Sequence, residues 1–127
     1  MTDMSNWHIL VVEDEPDGQV VVAGLLNYFG IQINAVSSAE EALSALKALD
    51  YDGIVIDLAL PGMDGVTLIR EIRSNPKTAH LPCIAITAYH TSYVKQQAID
   101  AGFNAYFPKP IDDTSFVREL SRVIVDG

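Results

Sequence analysis

A single cysteine, Cys83, occurs in the 127 residues, so no internal disulfide can form and no cysteine-based zinc set exists. This agrees with a reducing compartment, and Cys83 itself reads as a small buried residue. Long apolar runs are also missing. None approaches the roughly 20 residues that span a bilayer, and the start, "MTDMSNWHI", has neither the basic segment nor the apolar block of a secretory signal. A cytoplasmic location is expected. Basic side chains are scarce too: eight lysines and arginines face 17 acids, for a net charge of -9. A nucleic-acid duplex or an anionic membrane would be repelled over most of such a surface, which argues against direct contact with either.

What is present suits one compact domain over residues 1–127, because 49% of the side chains are hydrophobic. The runs "HILVV" (8–12), "GIVI" (53–56) and "PCIAIT" (82–87) are branched and unbroken, as central parallel strands are. In "IQINAV" (31–36), Ile31, Ile33 and Ala35 alternate with Gln32 and Asn34, the pattern of an edge strand with one wet side. "NAYFP" (104–108) is a shorter strand candidate.

Helical spacing fills the intervals. Ser37 with Glu40, or Ser38 with Glu41, offers a capping box ahead of Ala42, Leu46 and Leu49. After Asp64 and Gly65, the spacing turns Val66, Ile69 and Ile72 inward and Arg70, Glu71 and Arg73 outward, until Asn75-Pro76 ends the helix. Val94, Ala98 and Ala101 mark a fourth helix; Phe116, Leu120, Val123 and Ile124 mark a fifth. The first interval, "GQVVVAGLL", has poor helix formers, but Pro16 at a first-turn position and the need to cross between parallel strands favour helix. Five successive βα units imply an α/β fold, a doubly wound open parallel sheet with helices on both faces.

Such sheets place their chemistry at the carboxyl ends of the strands. Glu13 and Asp14 follow the first strand, Asp57 the third, Thr87 the fourth and Lys109 the fifth, so residues far apart in the chain share one edge. Two carboxylates about 4 Å apart repel by on the order of 4 kcal/mol at an effective dielectric near 20, so positive charge must sit among these three. Lys109 supplies one charge. A hard divalent ion with oxygen ligands, Mg²⁺ or Mn²⁺, would supply the rest and leave positions open for phosphoryl oxygens. Asp57 is then a nucleophile able to carry a phosphoryl group as an acyl phosphate.

"VVEDEP", "VIDLALPGMDG", "AITA" and "AYFPKP", in this order and spacing, resemble the receiver domain of two-component response regulators. The resemblance implies the flavodoxin-like (CheY-like) sheet order 2-1-3-4-5 with five helices. It makes Asp57 the phosphoacceptor, Glu13 and Asp14 the metal-positioning acids, and Lys109 the phosphoryl contact. Thr87 and Tyr106 become the switch pair. The metal would be held by Asp14, Asp57 and the backbone carbonyl of Ala59, and Lys109-Pro110 would be a cis bond. The implied function is a signalling switch rather than an enzyme. A histidine kinase or histidine phosphotransfer protein loads Asp57, and the face built from the fourth helix, fifth strand and fifth helix is read by a downstream protein these residues do not identify. Receivers often pair through that face, so a homodimer is also open. The sequence ends directly after the fifth helix, as in a stand-alone receiver or one excised from a longer chain.

Other assignments stand beside these. Ala59, without a polar side chain, and the bulky Tyr89 hold positions that in this family influence acyl-phosphate lifetime. Glu15 and Asp17 read as acids favoured by a helix N-terminus. His8, His80 and His90 lack ligand spacing and receive no role. A scaffold of the same fold that never takes phosphate, a flavin carrier and a phosphatase of the haloacid dehalogenase type are the alternatives. The phosphatase wants a general acid where Ala59 stands; the flavin carrier wants a hydroxyl- and glycine-rich loop where "EDEPDG" stands.

Overall fold

The structure, a computed structural model, describes residues 4–126; the expected domain limits of 1–127 include residues 1–3 and 127, which lie outside the described residues. Strands β1 (His8–Val12), β2 (Gln32–Val36), β3 (Gly53–Asp57), β4 (Cys83–Thr87) and β5 (Ala105–Pro108) alternate with α1 (Pro16–Tyr28), α2 (Ala39–Ala48), α3 (Gly65–Ser74), α4 (Ser92–Ala101) and α5 (Asp113–Asp126). All pairings are parallel, in the order β2-β1-β3-β4-β5. This is the doubly wound five-stranded α/β sheet that the sequence implied.

The unbroken apolar strands serve two cores at once, because successive side chains point to opposite faces. Leu10, Val12, Ile54, Ile56, Cys83 and Ala85 pack under α2, α3 and α4, while Ile9, Val11, Val55, Ile84 and Ile86 pack under α1 and α5. Truncating one of these central isoleucines to alanine should cost about 2–5 kcal/mol. β2 is the edge strand expected. Ile33 joins the α1/α5 core, but Ala35, expected on that same side, is exposed.

The valine-rich first segment is helical despite its composition. Pro16 opens it, Val22 and Leu26 are buried, and the demand for a crossover between β1 and β2 overrides propensity. Val20 and Val21 are left 70% and 60% exposed on its outer side. Of the two capping boxes offered for α2, the structure uses Ser38 as the cap, with Oγ accepting from Glu41 N–H at 3.1 Å. Glu41 then accepts from Ser37 N–H at 2.7 Å.

In α3, Leu68, Ile69 and Ile72 are buried, whereas Val66 is only partly so. Arg73 corrects the outward expectation. Its guanidinium turns in and donates to the carbonyls of Gly102 (3.0 and 2.9 Å), Ala79 (3.1 Å) and Leu81 (2.7 Å) and to Asn104 Oδ1 (2.9 Å). Helical spacing assigns a charged residue to water, but loop carbonyls near the starts of β4 and β5 need donors, and Arg offers five. The fourth helix buries only Ala98, and the fifth buries Val117 in addition to Phe116, Leu120 and Val123. Among the described residues no helix is long and apolar enough to cross a membrane.

Candidate functional site

Asp57 is the last residue of β3 and is 5% exposed, so its carboxylate sits at the mouth of the sheet instead of in bulk water. The segment that follows is shaped to keep it there. Asp64 caps α3 by accepting from Thr67 N–H at 2.8 Å, and Gly65 N–H donates to Leu58 O at 3.1 Å. A Cβ on Gly65 would stand 2.8 Å from Leu58 Cα and 2.9 Å from Asp57 O, so only glycine lets α3 start this close to the backbone around the aspartate. Asp57 Oδ1 accepts from Ala59 N–H at 2.9 Å, which fixes the carboxylate's orientation.

Glu13 arrives from the end of β1. Its backbone N–H donates to Val36 O at 3.0 Å, and Gln19 Nε2 donates to Glu13 O at 2.6 Å and to Val36 O at 3.3 Å, which stitches the β1–α1 loop to the end of β2. The Glu13 side chain is fully buried, and glycine at residue 18 leaves it room: a Cβ there would lie 2.1 Å from Glu13 Oε1, so the carboxylate would have to shift.

Lys109 joins the two acids, with Nζ donating to Glu13 Oε1 at 2.6 Å and to Asp57 Oδ2 at 2.8 Å. Its own N–H donates to Thr87 O at 2.8 Å, anchoring the turn that carries the cis Lys109-Pro110 bond to the end of β4. Glu13, Asp14 and Asp57 each bring a carboxylate oxygen within 4.8 Å of the others.

One ammonium against three carboxylates leaves the cluster, when fully ionised, two charges short of neutrality. Burial pushes the Glu13 carboxyl up to about 7; the neighbouring Asp57 carboxylate adds to the rise, and Lys109 opposes it. For Lys109, burial pulls downward, but the bonds to Asp57 and Glu13 outweigh it and its pKa is raised. Among the described residues, Glu13 Oε2 is buried without a hydrogen-bond partner. An orphaned buried carboxylate oxygen beside two more acids is a set of hard oxygen donors missing positive charge, which fits a divalent cation of the Mg²⁺ type.

The remaining expected residues lie nearby but are engaged elsewhere. Thr87 is buried at the end of β4, and its Oγ1 accepts from Tyr89 N–H at 3.0 Å; among the described residues that hydroxyl makes no hydrogen bond to Asp57 or to the Lys109 ammonium. Tyr106 on β5 is half-exposed, its hydroxyl 2.9 Å from Nδ1 of His90 and the two rings 5.5 Å apart. Burial raises its pKa. His90 carries no spacing pattern that would reveal this contact, since its partner is sixteen residues away on another element. Gln19 likewise carries none. Cys83 is buried as expected, its thiol pushed up to about 12 by that burial and so unreactive. A cavity of about 460 Å³, lined by Leu46, Tyr51, Lys77 and His80, lies at the opposite edge of the sheet, away from the carboxylates.

Residues 9–121 match the response regulator receiver domain family. The chemotaxis protein CheY-3 of Vibrio cholerae is 33% identical over 121 residues, spanning 93% of this chain and 92% of its own. Among solved structures, the receiver domain of a signal transduction histidine kinase from Syntrophus aciditrophicus superposes with a TM-score of 0.87 at 26% identity, over 94% of this chain and 91% of its own. The receiver domain of the sensor histidine kinase PA1611 from Pseudomonas aeruginosa, 33% identical over 94% of this chain and 98% of its own with a TM-score of 0.87, carries a magnesium ion coordinated in its active-site cleft.

Proposed function

This chain belongs to the response regulator receiver domain family, and from that membership we propose that residues 1–127 act as one phosphorylation-controlled switch whose acceptor is Asp57. The observation that carries the reading is the convergence of Glu13, Asp14 and Asp57 within 4.8 Å, with Lys109 Nζ bonded to two of them. Receiver domains are signalling domains, and the homologues include both a separate chemotaxis protein and a histidine-kinase domain.

The acceptor step is a transfer between two nucleophiles. An Asp57 carboxylate oxygen attacks the phosphorus of a phosphohistidine on a kinase or phosphotransfer partner. The P–N bond breaks with its electron pair going to nitrogen, the imidazole, already protonated on its other ring nitrogen, leaves neutral, and an acyl phosphate remains on Asp57. Lys109 exchanges a carboxylate for a phosphoryl oxygen and follows the developing charge. Ala59 N–H holds Oδ1 so that the carboxylate does not rotate during the attack. Asp14, Asp57 and the carbonyl of Ala59 would hold Mg²⁺, with Glu13 positioning it; the ion would supply charge neutralisation at the phosphoryl oxygens.

Thr87 then turns from Tyr89 N–H toward the new phosphoryl group, Tyr106 moves inward, and the α4-β5-α5 face changes for a downstream partner. A groove of about 340 Å³ beside Lys109, lined by Val21, Val22, Pro110 and Ile111 together with the acids Glu15 and Asp17, would seat the donor beside the lysine that holds the acceptor. The phosphatase alternative lacks its general acid, because Ala59 has no proton to give.

The test is incubation with Mg²⁺ and a small acyl-phosphate donor, read by intact-protein mass. A phosphoryl adduct absent from Asp57→Ala supports the reading. No adduct under any donor favours a phosphate-free scaffold, and one that survives Asp57→Ala puts the chemistry elsewhere.

A further inference from the structure

Both residues of the switch pair are tied to one exposed loop, residues 88–91 between β4 and α4. Thr87 Oγ1 is held by Tyr89 N–H at 3.0 Å, and the next residue, His90, meets the Tyr106 hydroxyl through Nδ1 at 2.9 Å. Thr91 then caps α4 by accepting from Val94 N–H at 3.0 Å, which fixes the far end of the loop. In the neutral tautomer protonated at Nε2, the tyrosine hydroxyl donates to Nδ1. The imidazole also lies against the tyrosine ring, tilted at 49°. Any inward movement of Tyr106 must break the hydroxyl's bond to His90.

We infer that His90 is a positioning residue that latches Tyr106 in its resting place and is released when Thr87 turns away from Tyr89. The inference rests on the phosphoryl-accepting reading of Asp57 and adds a part that sets how easily the switch is thrown. Because Tyr89 and His90 are adjacent, drawing Thr87 toward a phosphoryl group removes the loop's anchor at Tyr89 and loosens the hold on Tyr106 one residue later. The two movements are coupled through the loop backbone and one side-chain hydrogen bond. The latch taxes activation, since a ligand that needs the switched state binds in proportion to the population of that state.

The experiment uses beryllium trifluoride with Mg²⁺ as the phosphoryl analogue and compares its apparent affinity in wild type, His90→Phe, His90→Asn, Tyr106→Phe and His90→Phe/Tyr106→Phe, with the Tyr106 ring followed by NMR in the chains that retain it. His90→Phe keeps a ring against Tyr106 but removes the acceptor, and tightening of about two- to fivefold is expected from losing one solvent-accessible hydrogen bond. His90→Asn restores an acceptor near the Nδ1 position and should return affinity toward wild type. In the Tyr106→Phe background His90→Phe should change nothing further, and Mg²⁺ affinity measured alone should be the same in every variant. Uptake by wild type with no change in His90→Phe refutes the latch alone, as does a His90→Phe effect that persists without the tyrosine hydroxyl. A wild-type chain that takes up no beryllium trifluoride refutes the phosphoryl-accepting reading and the latch with it.

Discussion

Two glycines of α1 set up an internal comparison. Gly24 faces open space, with nothing among the described residues beyond its own helix within 4 Å of the place a methyl group would take, so Gly24→Ala should gain the usual helix preference of up to about 1 kcal/mol. At Gly18 the same methyl would lie 2.1 Å from Glu13 Oε1, and the carboxylate must retreat by more than an ångström. It has little room to do so, being fully buried and bonded to Lys109 at 2.6 Å. Losing that charge-assisted bond costs about 1.5–3 kcal/mol, toward the lower end because Lys109 is a quarter exposed. The two alanine variants should therefore differ by about 1.5–3 kcal/mol, or roughly 6–12 °C in Tm for a domain of this size. Urea unfolding followed by the fluorescence of Trp7, the one tryptophan, measures the difference, and Mg²⁺ titration should show a loss of about tenfold or more in Gly18→Ala alone. If Gly18→Ala is as stable as Gly24→Ala and binds Mg²⁺ like wild type, residue 18 is not glycine in order to admit Glu13.

The pH dependence follows from the same carboxylate. Burial raises the Glu13 carboxyl from 4.5 to about 7 in the folded chain, so its contribution to metal-free stability should be full below about pH 4.5 and be lost as pH rises through 7. Apparent Mg²⁺ affinity should move the opposite way, increasing between about pH 6 and 8 as the competing proton leaves; a flat profile contradicts the assignment. Lys109→Met should lower metal-free stability by about 1–3 kcal/mol, less than the ~3–5 kcal/mol of a wholly buried pair, and Mg²⁺ should recover part of the loss; a urea midpoint indifferent to Mg²⁺ counts against it. Arg73→Lys should cost about 2–3 kcal/mol in urea unfolding despite keeping the charge, because an ammonium cannot reach the carbonyls of Gly102, Ala79 and Leu81 together. A loss under about 0.5 kcal/mol would show the guanidinium bonds to be incidental.

The residues legible in the sequence were those whose position follows from topology alone. Once three apolar runs are parallel strands, Glu13, Asp57 and Lys109 must share an edge, and the pairing register brings them into direct contact. Composition failed where a local rule met a tertiary demand. The valines of α1 suggest a strand, yet the β1–β2 crossover requires a helix, and Arg73 looks like a solvated helix residue until the unpaired loop carbonyls are known. Gly18 reads as a helix weakener because the side chain it makes room for comes from another element. His90 and Gln19 were hidden for the same reason: each acts through one hydrogen bond across the fold, and a single hydrogen bond leaves no periodic trace.

The central claim is that Asp57 itself carries the phosphoryl group. The direct measurement is to load the protein from an acyl-phosphate donor with Mg²⁺, reduce the product with borohydride, and sequence the peptide spanning residues 53–65 by mass spectrometry. An acyl phosphate on Asp57 is reduced to an alcohol, so homoserine is expected at position 57 in the loaded, Mg²⁺-containing sample only. Homoserine at another aspartate, or an unmodified peptide from protein that has gained a phosphoryl mass, would contradict it.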